Sequence, residues 1–202
     1  MFRAHPVRVG VVSDVHAHLA DLDRALELLV GLGADRIVCL GDALEKGDDP
    51  DAVVSRLHQW LVPCVAGNHD LNALAHRAVE PDSLRPETAD LVAAWPLRRE
   101  YTWGGVRVLL AHATPYDTQT AVLPHELPRE LKRRLRTLDA DVLLLGHAHR
   151  PFAVRWQDLV IANPGSVRGE STRDSHTAGL LHLPERRFDL VHLGTGEVER
   201  LL

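Results

Sequence analysis

Cysteine is nearly missing from this sequence: there are only two, Cys39 and Cys64, with no Cys-x-x-Cys pair. That gives no support for a disulfide framework or a thiolate metal site. Each cysteine lies in an apolar, β-rich run (IVCL and PCVA) and reads as a reduced, buried small hydrophobe. Long hydrophobic runs are missing too. Nothing approaches the ~20 apolar residues of a membrane span, and the N-terminal MFRAHPVRVGVVSD has neither a long apolar core nor an A-x-A cleavage site. The expectation is a cytoplasmic protein with no membrane partner. Excess positive charge is absent as well. A net charge of -5 argues against sequence-specific nucleic-acid binding. The one dense basic stretch, KRRLR at Lys132 to Arg136, falls in a helical pattern and reads as a solvated helix face. No repeat, low-complexity segment or long linker interrupts the 202 residues, so residues 1–202 are expected to form a single domain with a substantial core.

What is abundant is histidine, 13 in all. Their positions matter more than their number. VRVGVV at Val7 to Val12 reads as a buried strand, and leucines from Leu19 to Leu32 recur at helical spacing. RIVCL predicts a second strand, a helix follows from Asp51 to Leu61, and a third strand is expected at Val62 to Ala66. This β-α-β-α-β order implies parallel strands covered on both faces. Leu71 to Ala94 predicts two helical pieces. EYTWGGVRVLLAH predicts a hairpin around Gly104-Gly105. Leu127 to Leu138 reads as a helix and Asp141 to Leu145 as a strand, and FAVRW, LVIA, TAGLLHL and RFDLVHL predict further strands. The class is α/β, with sheet layers covered by helices.

Each strand that looks central ends alike: apolar residues, a small residue, then Asp, Asn or His. These ends are Ser13-Asp14-Val15-His16, Gly41-Asp42, Gly67-Asn68-His69-Asp70, Ala111-His112 and Gly146-His147-Ala148-His149. In open α/β sheets the carboxyl ends of parallel strands line the ligand crevice, so five ends would deliver this set to one region. Carboxylate, imidazole and amide oxygen without thiolate suit borderline divalent metals such as Mn, Fe, Co, Ni or Zn. Asp14, His16, Asp42, Asn68, His112, His147 and His149 are too many ligands for one tetrahedral ion and suit two ions. Such a pair can clamp an in-line phosphoryl displacement and lower the pKa of water.

The blocks Asp14-x-His16, Gly41-Asp42, Gly67-Asn68-His69-Asp70, Ala111-His112 and Gly146-His147-Ala148-His149 resemble, in order, the signature of the calcineurin-like metallophosphoesterases. SDVHAHL, GHAHRPF and ANPGS look most like their small bacterial and archaeal phosphodiesterase branch. The resemblance implies a four-layer α/β-β/α sandwich of two mixed β-sheets flanked by helices, the metallophosphoesterase fold. It implies a metal-dependent phosphoric ester hydrolase acting on a small phosphoester or nucleotide. One ion would be held by Asp14, His16, Asp42 and His149, and the other by Asp42, Asn68, His112 and His147, with manganese the first expectation. A bridging hydroxide would attack phosphorus, and His69 would be the catalytic side chain beside the metals. Other members of the family are protein serine/threonine phosphatases, dinucleoside polyphosphate hydrolases or non-catalytic interaction scaffolds.

Some positions depart from the pattern. Where those phosphatases resemble G-D-x-x-D-R-G, this chain has Gly41-Asp42-Ala43-Leu44-Glu45-Lys46-Gly47. Glu45 and Lys46 read equally as substrate-binding rim or surface charge, and lysine lacks the bidentate fork of arginine. His18 stands where close relatives show asparagine and reads as an exposed first-turn residue. Asn163, in the turn Asn163-Pro164-Gly165-Ser166, is expected to support the substrate. Asp70 reads as a helix N-terminal group rather than a ligand. The remaining histidines, including His182 and His192 in late strands, read as structural.

Overall fold

The computed structural model describes residues 5–123, 125 and 127–202. Among the described residues the chain forms ten strands and five α-helices, with the helices before β5 and the strands crowded toward the C-terminal half. One mixed sheet has the order β10-β9-β8-β1-β2, built from Val198–Arg200, Arg187–His192, Thr177–Leu183, Val7–Val12 and Arg36–Cys39. The other has the order β3-β4-β5-β7-β6, built from Arg98–Trp103, Val106–Ala111, Val142–Leu144, Leu159–Asn163 and Phe152–Trp156. The pair β1 and β2 is parallel, as are β4, β5 and β7.

Strand alternation explains the layering, because successive side chains point to opposite faces. Val9 and Val11 of β1 turn inward and meet Val108, Leu110, Leu144 and Val160 of the second sheet. Val12 lies on the other side of its sheet, against Leu22, Leu26 and Leu29 of α1 (Leu19–Gly31) and Val53 and Leu57 of α2 (Pro50–Gln59). On the far side, Leu109, Leu143 and Ile161 cover Leu131 and Leu135 of α5 (Arg129–Leu135). The result is helices, sheet, sheet, helix: the expected four-layer sandwich of two mixed sheets.

The hairpin turn Gly104-Gly105 has both φ angles positive, 57° and 77°, which glycine adopts without steric cost. The predicted helical pieces are α3 (Asn68–Arg77) and α4 (Pro86–Ala93), separated by a short 3-10 turn at Pro81–Ser83. One expectation needs correcting. Val62 to Ala66 is not a full strand; only Cys64 pairs, as an isolated parallel bridge to Cys39. Pro63 has no N–H to donate, so the ladder is reduced to Cys39 N–H on Pro63 O (2.9 Å) and Val65 N–H on Cys39 O (3.1 Å). The short β10 was not anticipated. No helix among the described residues is long and apolar enough to cross a membrane.

Candidate metal centre

The carboxyl ends of β1, β2, β4, β5 and β7 all open toward one end of the sandwich. Beyond β1 and β2 the two loops stay locked together: Asp14, His16 and Ala17 donate N–H to the carbonyls of Gly41, Asp42 and Ala43 at 3.0, 2.9 and 2.7 Å. This holds Asp14, His16 and Asp42 side by side. The geometry is tight enough that two glycines are obligatory. A Cβ on Gly67 would run into the Asp42 carboxylate, and one on Gly146 would meet the Ser13 hydroxyl and the Asp14 carboxylate.

The seven sequence-read ligand candidates come together. Asp14, His16 and His149 form one group and Asp42, His112 and His147 a second, each with ligand atoms within 4.8 Å of one another. Asn68 joins the second, with Oδ1 3.1 Å from His112 Nε2. Asp42 lies between the groups: its Oδ2 is 3.2 Å from His112 Nε2 and 4.0 Å from His16 Nε2. Its other oxygen accepts the His69 backbone N–H at 2.9 Å.

Each imidazole is oriented from behind. His16 Nδ1 meets Leu44 O at 3.3 Å, His112 Nδ1 meets Leu40 O at 2.8 Å, and His149 Nδ1 meets Asp174 Oδ1 at 2.7 Å. With the proton donated there, Nε2 carries the lone pair toward the cluster, the usual way protein fixes a metal-binding tautomer. His147 is reversed. Its Nε2 donates to Gln119 O at 3.0 Å, leaving Nδ1 as the free lone pair. Asp14 Oδ2 accepts from Ser13 Oγ (2.6 Å) and His147 N (3.0 Å), while Oδ1 is buried with no hydrogen-bond partner. An orphaned carboxylate oxygen among converging lone pairs is costly unless a cation meets it. The residues therefore fit two divalent cations.

Backbone strain supports the same reading. Asp14, His16, Asp42, His147 and His149 all have φ between 50° and 65°. Such left-handed conformations cost a non-glycine residue roughly 1–3 kcal/mol and collect at functional sites.

The electrostatics are frustrated without cations. Burial works against charge on Asp14, yet the imidazole of His149, 3.2 Å from Oδ1, and the nearby His112 and His16 hold its carboxyl below the ordinary range. Burial pushes His16 down to about 4. Burial pushes His112 down also, but the Asp42 carboxylate overrides it and carries His112 up to about 9. Lys46, whose Nζ is 3.0 Å from His16 Nε2, is lowered by burial. Divalent cations would invert this balance, keeping the imidazoles neutral and the carboxylates ionised.

Around the ligands, His69 stands with its ring centroid 4.9 Å from that of His16, and its Nδ1 pairs with Glu45. Glu45 thus orients His69. Asp70 is fully buried at the start of α3 and accepts four backbone N–H groups, from Gly67, Asp42, Ala43 and Leu44, at 2.8–3.1 Å. Burial and the Asp42 carboxylate push it up to about 7, against the pull of those donors. Asn163, expected to support the substrate, is fully buried instead. Its Nδ2 donates to Gly146 O at 2.6 Å and its Oδ1 accepts Gly165 N–H at 2.8 Å, so it braces the turn carrying His147. His18 is mostly covered rather than exposed and faces Glu170 at 3.4 Å, outside both groups. Sequence reading missed Asp174. It precedes an antiparallel strand, β8, and so follows no strand end; the polar run ESTRDS offered no signal beyond its position.

Fold and site together define a two-sheet α/β sandwich carrying two adjacent candidate metal-ligand groups. The calcineurin-like phosphoesterase superfamily domain matches residues 7–186, and the chain belongs to that superfamily as a metal-dependent phosphoesterase. A probable metallophosphoesterase of Methanothermobacter thermautotrophicus is 32% identical over 161 residues, covering 78% of this chain and 76% of the relative. Phosphodiesterase YfcE of Escherichia coli is 28% identical over 163 residues, covering 80% of this chain and 79% of that one. A solved metallophosphoesterase from Sphaerobacter thermophilus has the same fold, with a TM-score of 0.72 at 21% identity over 97% of this chain and 89% of that one. The chain sits with the small bacterial and archaeal phosphodiesterase branch.

Proposed function

We propose that this protein hydrolyses phosphodiesters at a dinuclear metal centre. Asp14, His16, Asp42 and His149 hold one ion, and Asp42, Asn68, His112 and His147 hold the other, with manganese as the native metal. The observation that carries this reading is the pair of adjacent ligand groups with Asp42 between them and Asp14 Oδ1 orphaned in the first. When bound, the two cations supply Lewis-acid polarisation of the phosphoryl group and a lowered pKa for water.

The chain's own residues do the rest. Ser13, Leu40, Leu44 and Asp174 fix the ligand side chains, so no reorganisation is needed as charge develops. His69 lies just outside the ligand groups, its ring held at Nδ1 by Glu45, which leaves Nε2 to donate a proton to the departing oxygen. Lys46 reaches over the first ligand group with a flexible stem and contacts a phosphoryl oxygen as a point charge. The substrate is a small phosphoester or nucleotide, a reading supported by the diesterase named among the relatives.

The test is release of p-nitrophenol from bis-p-nitrophenyl phosphate by protein loaded with Mn²⁺, in parallel with His69→Asn. The variant is expected to keep its metal content and lose about 10²–10⁴-fold in kcat, the usual contribution of a positioned acid. No release with any divalent metal, or an unchanged rate in the variant, would sink the proposal.

A further inference from the structure

Beside the ligand groups, on the His149 side, opens a cavity of about 790 Å³. That is within the size range of nucleotide-scale ligand sites. Lys46, Arg150, Arg168 and Arg173 line it, together with His147 and His149. The cavity's single acidic side chain, Asp174, is already engaged. Its oxygens meet His149 Nδ1 at 2.7 Å, Ser171 N–H at 3.0 Å and Arg168 Nε at 3.6 Å. Arg168 has a further partner in Glu170 at 3.3 Å. Among the described residues, no carboxylate lies within ion-pair distance of Arg150 or Arg173, and both are exposed at the cavity.

Four cationic side chains around one committed carboxylate are unusual in a chain of net charge -5. Like charges facing one cavity repel, and an anion that enters relieves the repulsion. Lys46 is already placed on the scissile phosphoryl group, and the scissile phosphodiester does not account for the three arginines. It carries one negative charge, and the proposed cations already meet it. We infer that the natural substrate is a nucleotide-sized phosphodiester bearing a second, non-scissile phosphate, and that Arg150 and Arg173, with Arg168 behind them, receive it. Arginine suits this task because its planar fork matches phosphate oxygens in a bidentate way. The inference rests on the diesterase reading above and adds the substrate's charge and the residues that read it.

Two chromogenic esters separate the possibilities: thymidine 5′-(p-nitrophenyl phosphate) and the same ester carrying a 3′-phosphate. In both, water adds to the 5′-phosphorus, the bond from phosphorus to the aryl oxygen breaks, and p-nitrophenol leaves. With the Mn²⁺-loaded full chain, kcat/KM is expected to favour the 3′-phosphorylated ester by about 10- to 100-fold, expressed mainly in KM, as for one or two charge-assisted hydrogen bonds. In the Arg150→Ala, Arg173→Ala double variant that preference should fall to within about twofold. The ratio is taken within each protein, so a general loss of activity cancels. Equal kcat/KM for the two esters in the unmodified chain, or a preference that survives in the double variant, overturns the inference while leaving diester hydrolysis intact. No p-nitrophenol from either ester would bring down both readings.

Discussion

At the scale of single residues, the least conspicuous acid matters most for local architecture. Asp70 belongs to neither ligand group, yet it collects the N–H groups of Gly67, Asp42, Ala43 and Leu44, and so fixes the backbone that carries the Asp42 carboxylate. Each of its oxygens takes two of these donors. In Asp70→Asn, whichever way the amide turns, its NH₂ faces two N–H groups and leaves them without an acceptor. At about 1–3 kcal/mol for each buried unsatisfied donor, the variant should lose roughly 2–6 kcal/mol of stability, read as a lower urea midpoint with unchanged slope. Metal content should fall with it, because Asp42 moves. A midpoint within about 0.5 kcal/mol of the parent, the normal range for surface changes, would show that these donors find other partners. Asp70 was legible only as a helix-start acid, because three of its four donors lie 26–28 residues away in the chain.

At the scale of elements, strand ends carried most of the readable information. Asp14, Asp42, His112 and His147 each follow a short apolar strand, so a residue pattern alone pointed to where chemistry collects. The same logic was blind to what arrives from antiparallel strands. Asp174 approaches the cluster from the start of β8, and Asn163 belongs to β7 but spends both polar atoms on backbone. The pairing of strands was not legible either. Nothing in TAGLLHL says that β1 lies on one side of it while β9 lies on the other, since sheet order depends on contacts between distant segments. Pro63 shortened the third strand by removing one donor, an effect local enough to have been foreseen. Glycine at a strand end gives this level its test. Gly146→Ala drives a methyl into Ser13 and the Asp14 carboxylate, so β5 and β1 must shift apart just where His147 and Asp14 meet. Misplacement of about 1 Å at a reacting centre costs around 10²-fold, so kcat/KM on bis-p-nitrophenyl phosphate should fall by about that factor. An alanine variant with normal kinetics would mean that the turn relaxes without moving the ligands.

At the scale of the whole molecule, each ligand group draws on both sheets. Asp14 and His16 come from the end of β1 in the first sheet and meet His149 from beyond β5 in the second. Asp42, from the first sheet, meets His112 and His147 from the second. Two bound ions would therefore staple the sandwich across its core, and metal binding should appear as global stability rather than as local order. Binding to the native state alone contributes RT ln(1 + [L]/Kd), about 2.7 kcal/mol per site at a hundredfold excess over Kd. For a chain of this size that is roughly 5–11 °C in Tm per ion. Protein stripped with EDTA should regain this in two increments as Mn²⁺ is restored. His149→Ala and His147→Ala should each bind a single ion and show a single increment, because the two histidines belong to different groups. A Tm indifferent to metal, or one histidine whose loss empties both sites while the other's empties neither, would contradict a clamp built equally from the two sheets.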